Sequence, residues 1–253
     1  MTIRFRLLGP IEVTGMRGES VVFDRGKRAV LLALLLRQAN RRVSLGTVVQ
    51  TLWEKEPPES AQANVRTYAS QLRAALCRVG MPRLESPRGS YLLRVDCGES
   101  DVEIFAEAVT AADAALATAR PTDAQDHLRR ALEVWRGQAA DGLTGHGPLK
   151  LALDALDEQR AATVEKYAAV CLRLADRSTT HTSSSPIPHL RMLLAEQPLR
   201  ENAWLLLMRS LADTGDRAGA LAAYGSARQV LRRELGLEPS VELRRAQEEI
   251  LHA

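Results

Sequence analysis

Apolar residues at the start of the chain recur at every second position, and from about residue 26 at every third or fourth. Ile3-Arg4-Phe5-Arg6-Leu7-Leu8 alternates, Gly9-Pro10 turns the chain, and Ile11-Glu12-Val13 and Val21-Val22-Phe23 flank a turn at 15–18. A period of two marks strands, so a small antiparallel sheet is predicted. A helix follows from Gly26 to about Ala39, with Asp24 as its cap. The apolar run Ala29 to Leu36 nearly encircles it and predicts burial. Ser44 caps a second helix whose stripe, Leu45, Val48, Val49 and Leu52, ends near Trp53. Glu54-Lys55-Glu56-Pro57-Pro58-Glu59 cannot continue it, because two prolines and four charges break a helix. Ser60 then caps a third helix to about Val79, with Val65, Tyr68, Ala69, Leu72, Ala75, Leu76 and Val79 on one face. Leu84 to Ser86, Pro87 to Ser90 and Tyr91 to Val95 read as strand, turn and strand, with Arg88 at the tip.

Beyond residue 101 the period is helical almost throughout. Ile104 and Phe105 open one helix and Pro121 a second. After a loop at 142–148, a long helix runs from Leu149 to Leu174. Residues 178–188 are Ser/Thr-rich and predict a polar loop. Helices at 190–197, 201–214, 216–235 and from beyond Pro239 to the end complete the pattern. Trp204, Leu207, Met208 and Leu211, then Ala220, Tyr224 and Ala227, match the spacing of a tetratricopeptide repeat. In that repeat the small residues allow paired helices to approach closely. The fold class expected is mainly α with small β.

Composition supports this. Aromatics are 4% of the chain and hydrophobic residues 45%, with Ala and Leu, both strong helix formers, dominant. The net charge of +3 conceals a split. Residues 1–98 hold sixteen Lys and Arg against eight Asp and Glu, and residues 99–253 hold eighteen against twenty-three. Two domains are therefore expected, 1–98 and 99–253, the first suited to a polyanion. Three helices followed by a hairpin with a basic tip is the order of a winged helix, which sets its third helix in the major groove of DNA. The solvent side of that helix carries no acid, and its Asn64, Arg66, Thr67, Ser70, Gln71 and Arg73 are suited to base edges and phosphates. Arg25, Lys27, Arg28, Arg41 and Arg42 would neutralise phosphates, and Arg88 would probe the adjacent minor groove.

No enzyme signature accompanies these features. Phosphate-binding and dinucleotide-binding glycine motifs and the paired-histidine zinc motif are all missing, and the histidines at 127, 146, 181, 189 and 252 are scattered. Cys77, Cys97 and Cys171 show no metal spacing and read as free thiols of a reducing cytoplasm. No cofactor and no metal are expected. No apolar run reaches membrane-spanning length, and the first residues lack the apolar core of an export signal.

Several stretches together resemble one family. They are Leu8-Gly9-Pro10-Ile11-Glu12-Val13, Lys27 to Leu35, Asn40-Arg41-Arg42-Val43, Leu52-Trp53 with Pro57-Pro58, and Tyr68-Ala69-Ser70-Gln71-Leu72-Arg73. Further along come Leu132 to Gly137, Glu158-Gln159-Arg160 and Glu234 to Pro239. Over essentially its whole length the chain resembles the Streptomyces antibiotic regulatory proteins, in their small two-domain form. The resemblance implies an OmpR-type winged helix followed by an all-α, tetratricopeptide-like bacterial transcriptional activation domain. It implies activation of antibiotic or other secondary-metabolite genes through direct repeats near the −35 element. It also implies partnership with double-stranded promoter DNA and RNA polymerase holoenzyme (sigma factor, flap or the alpha C-terminal domain), pairing as a homodimer on DNA, and a cytoplasmic, nucleoid-associated place. By the same resemblance Glu54, Lys55, Glu56, Pro57, Pro58 and Glu59 would face the polymerase. The alternative is a non-catalytic helical scaffold with only non-specific affinity for DNA.

Overall fold

The computed structural model describes residues 4–53, 56–143, 147–175 and 185–252. They form two compact units, one of residues 1–107 and 133–159, the other of residues 108–132 and 160–253. The units thus divide the chain elsewhere than at residue 98.

In the first unit, β1 (Phe5–Arg6), β2 (Ile11–Thr14) and β3 (Ser20–Phe23) form an antiparallel sheet in that order, with Phe5 opposite Val13 and Ile11 opposite Phe23. Ile11 and Val13 are fully buried while Glu12 and Thr14 are half-buried, the two-residue period of a strand with one face on the core. Helix α1 (Gly26–Arg37) buries all eight residues from Ala29 to Leu36. The residue flanking it is Arg25, with no side-chain cap, so Asp24 lies one residue outside the capping position and does not cap the helix; Gly26, its first residue, sits at φ 81°. Strand β4 (Val43–Ser44) leads into α2 (Leu45–Leu52), where the Ser44 hydroxyl accepts the Thr47 N–H at 3.0 Å, as predicted. Ser60 precedes α3 (Ala61–Arg78) but does not cap it through its side chain: its Oγ accepts the Asn64 side-chain amide at 3.1 Å. Strands β5 (Leu84–Glu85) and β6 (Ser90–Leu93) complete a second sheet, in the order β4-β6-β5.

Helices α4 (Asp101–Ala117), α5 (Pro121–Glu133) and α6 (Gly147–Ala175) follow. The start of α4 holds the Leu7–Pro10 segment in place. Asp101 is fully buried, and its carboxylate accepts the N–H of Leu7 on both oxygens and the N–H of Leu8, each at 2.9 Å. From the other side, the Arg136 N–H donates to the Leu8 carbonyl at 2.9 Å and the Ala140 N–H to the Leu7 carbonyl at 2.7 Å. The Arg136 guanidinium reaches the Pro10 carbonyl at 2.8 Å and Glu12 at 3.1 Å. Gly9 sits at φ 133°, where an added Cβ would lie 2.9 Å from Cβ of Arg136, so only glycine fits this approach. Beside the clasp, Phe105 meets Trp135 edge to face at 5.3 Å between ring centroids.

The regular elements of the second unit are all helices among its described residues, ending in α7 (Ile187–Glu196), α8 (Glu201–Asp213), α9 (Arg217–Leu235) and α10 (Val241–His252). Its core gathers Ala112, Leu128, Tyr167, Leu190, Leu207, Met208, Tyr224, Ala227 and Ile250. Ala220 and Ala227 are fully buried where α8 and α9 pack, so a larger side chain there would force the helices apart. Asp216 caps α9 by accepting the Gly219 N–H at 2.8 Å, and Gly236, at φ 68°, ends it. The predicted loop at 178–188 falls largely outside the described residues, as do Glu54, Lys55, His146 and His181. Among the described residues no helix is long and apolar enough to cross a membrane.

Candidate nucleic-acid interface

Helix α3 turns one face to the core and one to solvent. Val65, Ala69, Leu72, Ala75 and Leu76 are buried, and Tyr68 is half-buried against Trp53, 6.5 Å between ring centroids. Ala63, Arg66, Thr67, Ser70, Gln71 and Ala74 are exposed on the other side, and the helix contains no acid. A solvated helix face usually mixes acids with bases to gain pairs one turn apart. The exposed face of α3 is instead uniformly neutral or basic.

The hairpin stands beside this face. Its turn closes with the Ser90 N–H on the Pro87 carbonyl at 2.9 Å, with Gly89 at φ 66° and Arg88 exposed at the tip. Arg94 braces the two strands through Glu85 at 2.9 Å. The base of the hairpin is held from two directions. Val43 pairs with Tyr91 across β4 and β6, and the Leu45 N–H donates to the Gly89 carbonyl at 2.9 Å. From α3, the Arg73 guanidinium donates to the Leu84 carbonyl at 3.2 Å and to Ser86 Oγ at 2.6 Å.

Between helix and hairpin lies a hollow of about 350 Å³, lined by Arg66, Arg73, Ser86, Gly89, Ser90 and Tyr91 among others. Burial pushes the Tyr91 hydroxyl above its ordinary range, against the opposing charges of Arg66 and Arg73. Both guanidinium groups therefore face one small space. Arg66 is exposed and makes no ion pair or hydrogen bond among the described residues.

The remaining sequence-predicted residues fall into two kinds. Arg25, Arg28, Arg41, Arg42 and Arg88 are exposed and make no ion pair among the described residues. Lys27 is engaged: its ammonium donates to the Leu52 carbonyl and lies 5.5 Å from the Trp53 ring centroid, tying α1 to the end of α2. Thr67 donates to the Ala63 carbonyl at 3.1 Å and Asn64 to Ser60, so each retains only part of its hydrogen-bonding capacity. Glu56, Pro57, Pro58 and Glu59 are exposed between α2 and α3.

Sequence reasoning did not single out Asp101, Ser86, Ser90 or Tyr91. The fold also brings Cys97, Glu103 and Glu107 together, their ligand atoms within 4.8 Å of one another, a grouping that no linear metal spacing announces. Among the described residues Cys77, Cys97 and Cys171 form no disulfide.

Comparison with known proteins places the chain. A family model described as the bacterial transcriptional activator domain matches residues 100–251. Regulatory protein DnrI of Streptomyces peucetius is 30% identical over 261 residues, covering 99% of this chain and 93% of DnrI. MoaR1, a transcriptional regulatory protein of Mycobacterium tuberculosis, is 30% identical, with 98% of this chain and 79% of MoaR1 covered. AfsR of Streptomyces coelicolor is 34% identical over 99% of this chain, and the chain spans only 24% of that longer protein. Among solved structures, Mycobacterium tuberculosis EmbR in complex with a low-affinity phosphopeptide superposes with a TM-score of 0.76 at 30% identity, covering 99% of this chain and 65% of EmbR. With its regulator relatives and its activator domain at 100–251, the chain belongs to the Streptomyces antibiotic regulatory protein family of transcriptional regulators.

Proposed function

We propose that the protein is a sequence-specific, DNA-binding transcriptional activator of an antibiotic or other secondary-metabolite gene cluster. In this reading α1 to α3 with the β5–β6 hairpin are an OmpR-type winged helix, and α8 with α9 a tetratricopeptide-like pair within the activation domain. DNA binding is assigned to residues 1–98 and activation to 99–253. The observation that carries the reading is the acid-free exposed face of α3 standing beside a hairpin tipped by Arg88.

Helix α3 enters the major groove, where Arg66, Ser70 and Gln71 reach base edges. Arg25, Arg28, Arg41 and Arg42 neutralise phosphates, each contributing to the salt dependence of binding. Arg88 enters the neighbouring minor groove and favours narrow, A·T-rich sequence. Lys27 and Arg73 act by holding elements in place, since each already donates to an internal acceptor. Direct repeats near the −35 element seat two copies of the chain side by side. The exposed loop with Glu56 and Glu59 meets RNA polymerase. The protein acts in the cytoplasm, at the nucleoid, and no catalytic step is assigned to it.

The test is gel-shift titration of the full chain on promoter and random DNA over a range of salt. Arg66→Ala should cost about 1–3 kcal/mol on the operator and relax discrimination at one base pair. Arg88→Ala should lose the A·T preference flanking the site. Equal affinity for operator and random DNA at every salt concentration would favour the scaffold reading instead.

A further inference from the structure

Helices α7, α8 and α9 of the second unit line a groove of about 490 Å³, within the roughly 300–1,000 Å³ range of small-molecule sites. Its lining is apolar. Leu194, Leu207 and Leu211 contribute to it and are at most 5% exposed. Helix α9 contributes Gly219, Ala222, Ala223 and Ser226, which recur three and four residues apart, so that side of the helix offers little beyond backbone. Polar groups that could compete for a ligand are already engaged. Trp204 Nε1 donates to the Pro198 carbonyl at 2.9 Å, and Ser226 Oγ to the Ala222 carbonyl at 3.1 Å. Trp204 therefore presents ring surface to the groove rather than a donor.

One charge stands among these residues. Arg191, on α7, is exposed and has no ionic partner among the described residues. The groove thus offers carbon along its length and a single cation.

We infer that this groove binds a small amphiphilic monoanion, an apolar ring system or short acyl chain carrying one carboxylate. The apolar body leaves water for the leucines and the indole. The carboxylate takes Arg191, whose planar fork matches it in a two-point hydrogen bond. Charge complementarity selects this class. One guanidinium in an otherwise uncharged lining answers one anionic group, whereas an amphipathic helix from a protein partner would call for a row of polar contacts. A ligand seated across three helices of the activation domain would couple the regulator to the concentration of a metabolite. The inference does not depend on how the first unit meets DNA.

The experiment uses the full chain without DNA and two fluorescent probes. Anilinonaphthalene sulfonate carries an apolar ring system and one negative charge, and phenylnaphthylamine carries the same rings without charge. Saturable binding of the sulfonate at one site per chain, displaced by naphthoate, is expected. Arg191→Ala should weaken the sulfonate and naphthoate about tenfold, the effect of losing ~1.4 kcal/mol, and leave the neutral probe unchanged. Ala222→Leu, at an exposed helix position that tolerates leucine, should fill the groove and weaken both probes. Circular dichroism and the melting temperature verify that both variants fold. Absence of saturable binding, or binding indifferent to Ala222→Leu, overturns the site. Loss with Ala222→Leu but none with Arg191→Ala overturns the anionic class of ligand.

Discussion

Replacing Asp101 by Ala should be among the most damaging single changes in the first unit. The residue is fully buried, and its carboxylate is the acceptor for the N–H groups of Leu7 and Leu8. Both donors lie in a buried segment whose carbonyls are bonded to Arg136, Ala140 and Asp141. Each orphaned donor costs about 1–3 kcal/mol, so the change should remove roughly 2–6 kcal/mol. That is a large share of the ~5–15 kcal/mol stabilising a typical domain. The loss should also depend on pH. Burial pushes the Asp101 carboxyl up from 3.8 to about 6, against the three backbone N–H groups and Arg136 that favour its ionised form. A carboxyl whose folded value is raised binds a proton more readily in the folded chain than in the unfolded one. Its stabilising contribution is therefore complete below pH 3.8 and lost as the pH rises through about 6. The difference spans about 3 kcal/mol. Urea unfolding followed by tryptophan fluorescence reads this directly, because Trp135 packs on Phe105 in the same unit. The gap between the native chain and Asp101→Ala should widen as the pH falls from 7 toward 4. A variant within about 0.5 kcal/mol of the native chain, the scatter of ordinary surface changes, would refute the clasp. A gap that narrows on acidification would refute the raised carboxyl.

Three further outcomes follow from the geometry. Gly9→Ala should cost about 1–3 kcal/mol, since its φ of 133° and the 2.9 Å approach to Arg136 both oppose a Cβ; an unchanged melting temperature would show that the loop yields. Arg73→Ala should speed amide hydrogen exchange around residues 84–86 and weaken operator binding, while Arg66→Ala should weaken binding with exchange unchanged; identical exchange in the two variants would remove the bracing role of Arg73. Changing Glu54, Glu56 and Glu59 to Gln should leave gel-shift affinity equal or slightly improved while in vitro transcription from the same promoter falls. Unchanged transcription would leave that loop a connector only.

The helices were legible because their signals are local. The apolar stripe of α3 predicted its buried face with only Tyr68 half-buried, and Ser44 capped α2 as its position suggested. Asp24 and Ser60 failed as caps for reasons a linear reading does not contain. Asp24 lies one residue short of the capping position, which Arg25 occupies, and the Ser60 hydroxyl is taken by the Asn64 side chain. The charge balance that changes at residue 98 records surface chemistry, whereas the compact units record contacts. The clasp on Leu7 and Leu8 comes from residue 101 and residues 136–140, so the first compact unit extends past the charge boundary and takes in 133–159. A fragment ending at residue 98 would lack the acceptor for both N–H groups.

The arginines show most clearly where sequence reasoning stops. Sixteen basic residues in 1–98 suit a polyanion partner, and nothing in their spacing separates cations left unpaired from those that hold the protein together. The fold makes that separation through acceptors. Arg73 finds the Leu84 carbonyl and Ser86, Lys27 finds the Leu52 carbonyl, and Arg94 finds Glu85. Once a cation's donors are engaged internally, moving it to a phosphate would break those bonds, so the net gain on DNA shrinks. Arg66, Arg88, Arg41 and Arg42 have no such partner among the described residues, and would meet a phosphate or a base edge without giving up an internal bond. Affinity and salt dependence should therefore follow this second group, while loss of the first group should register primarily in stability and in the order of the hairpin.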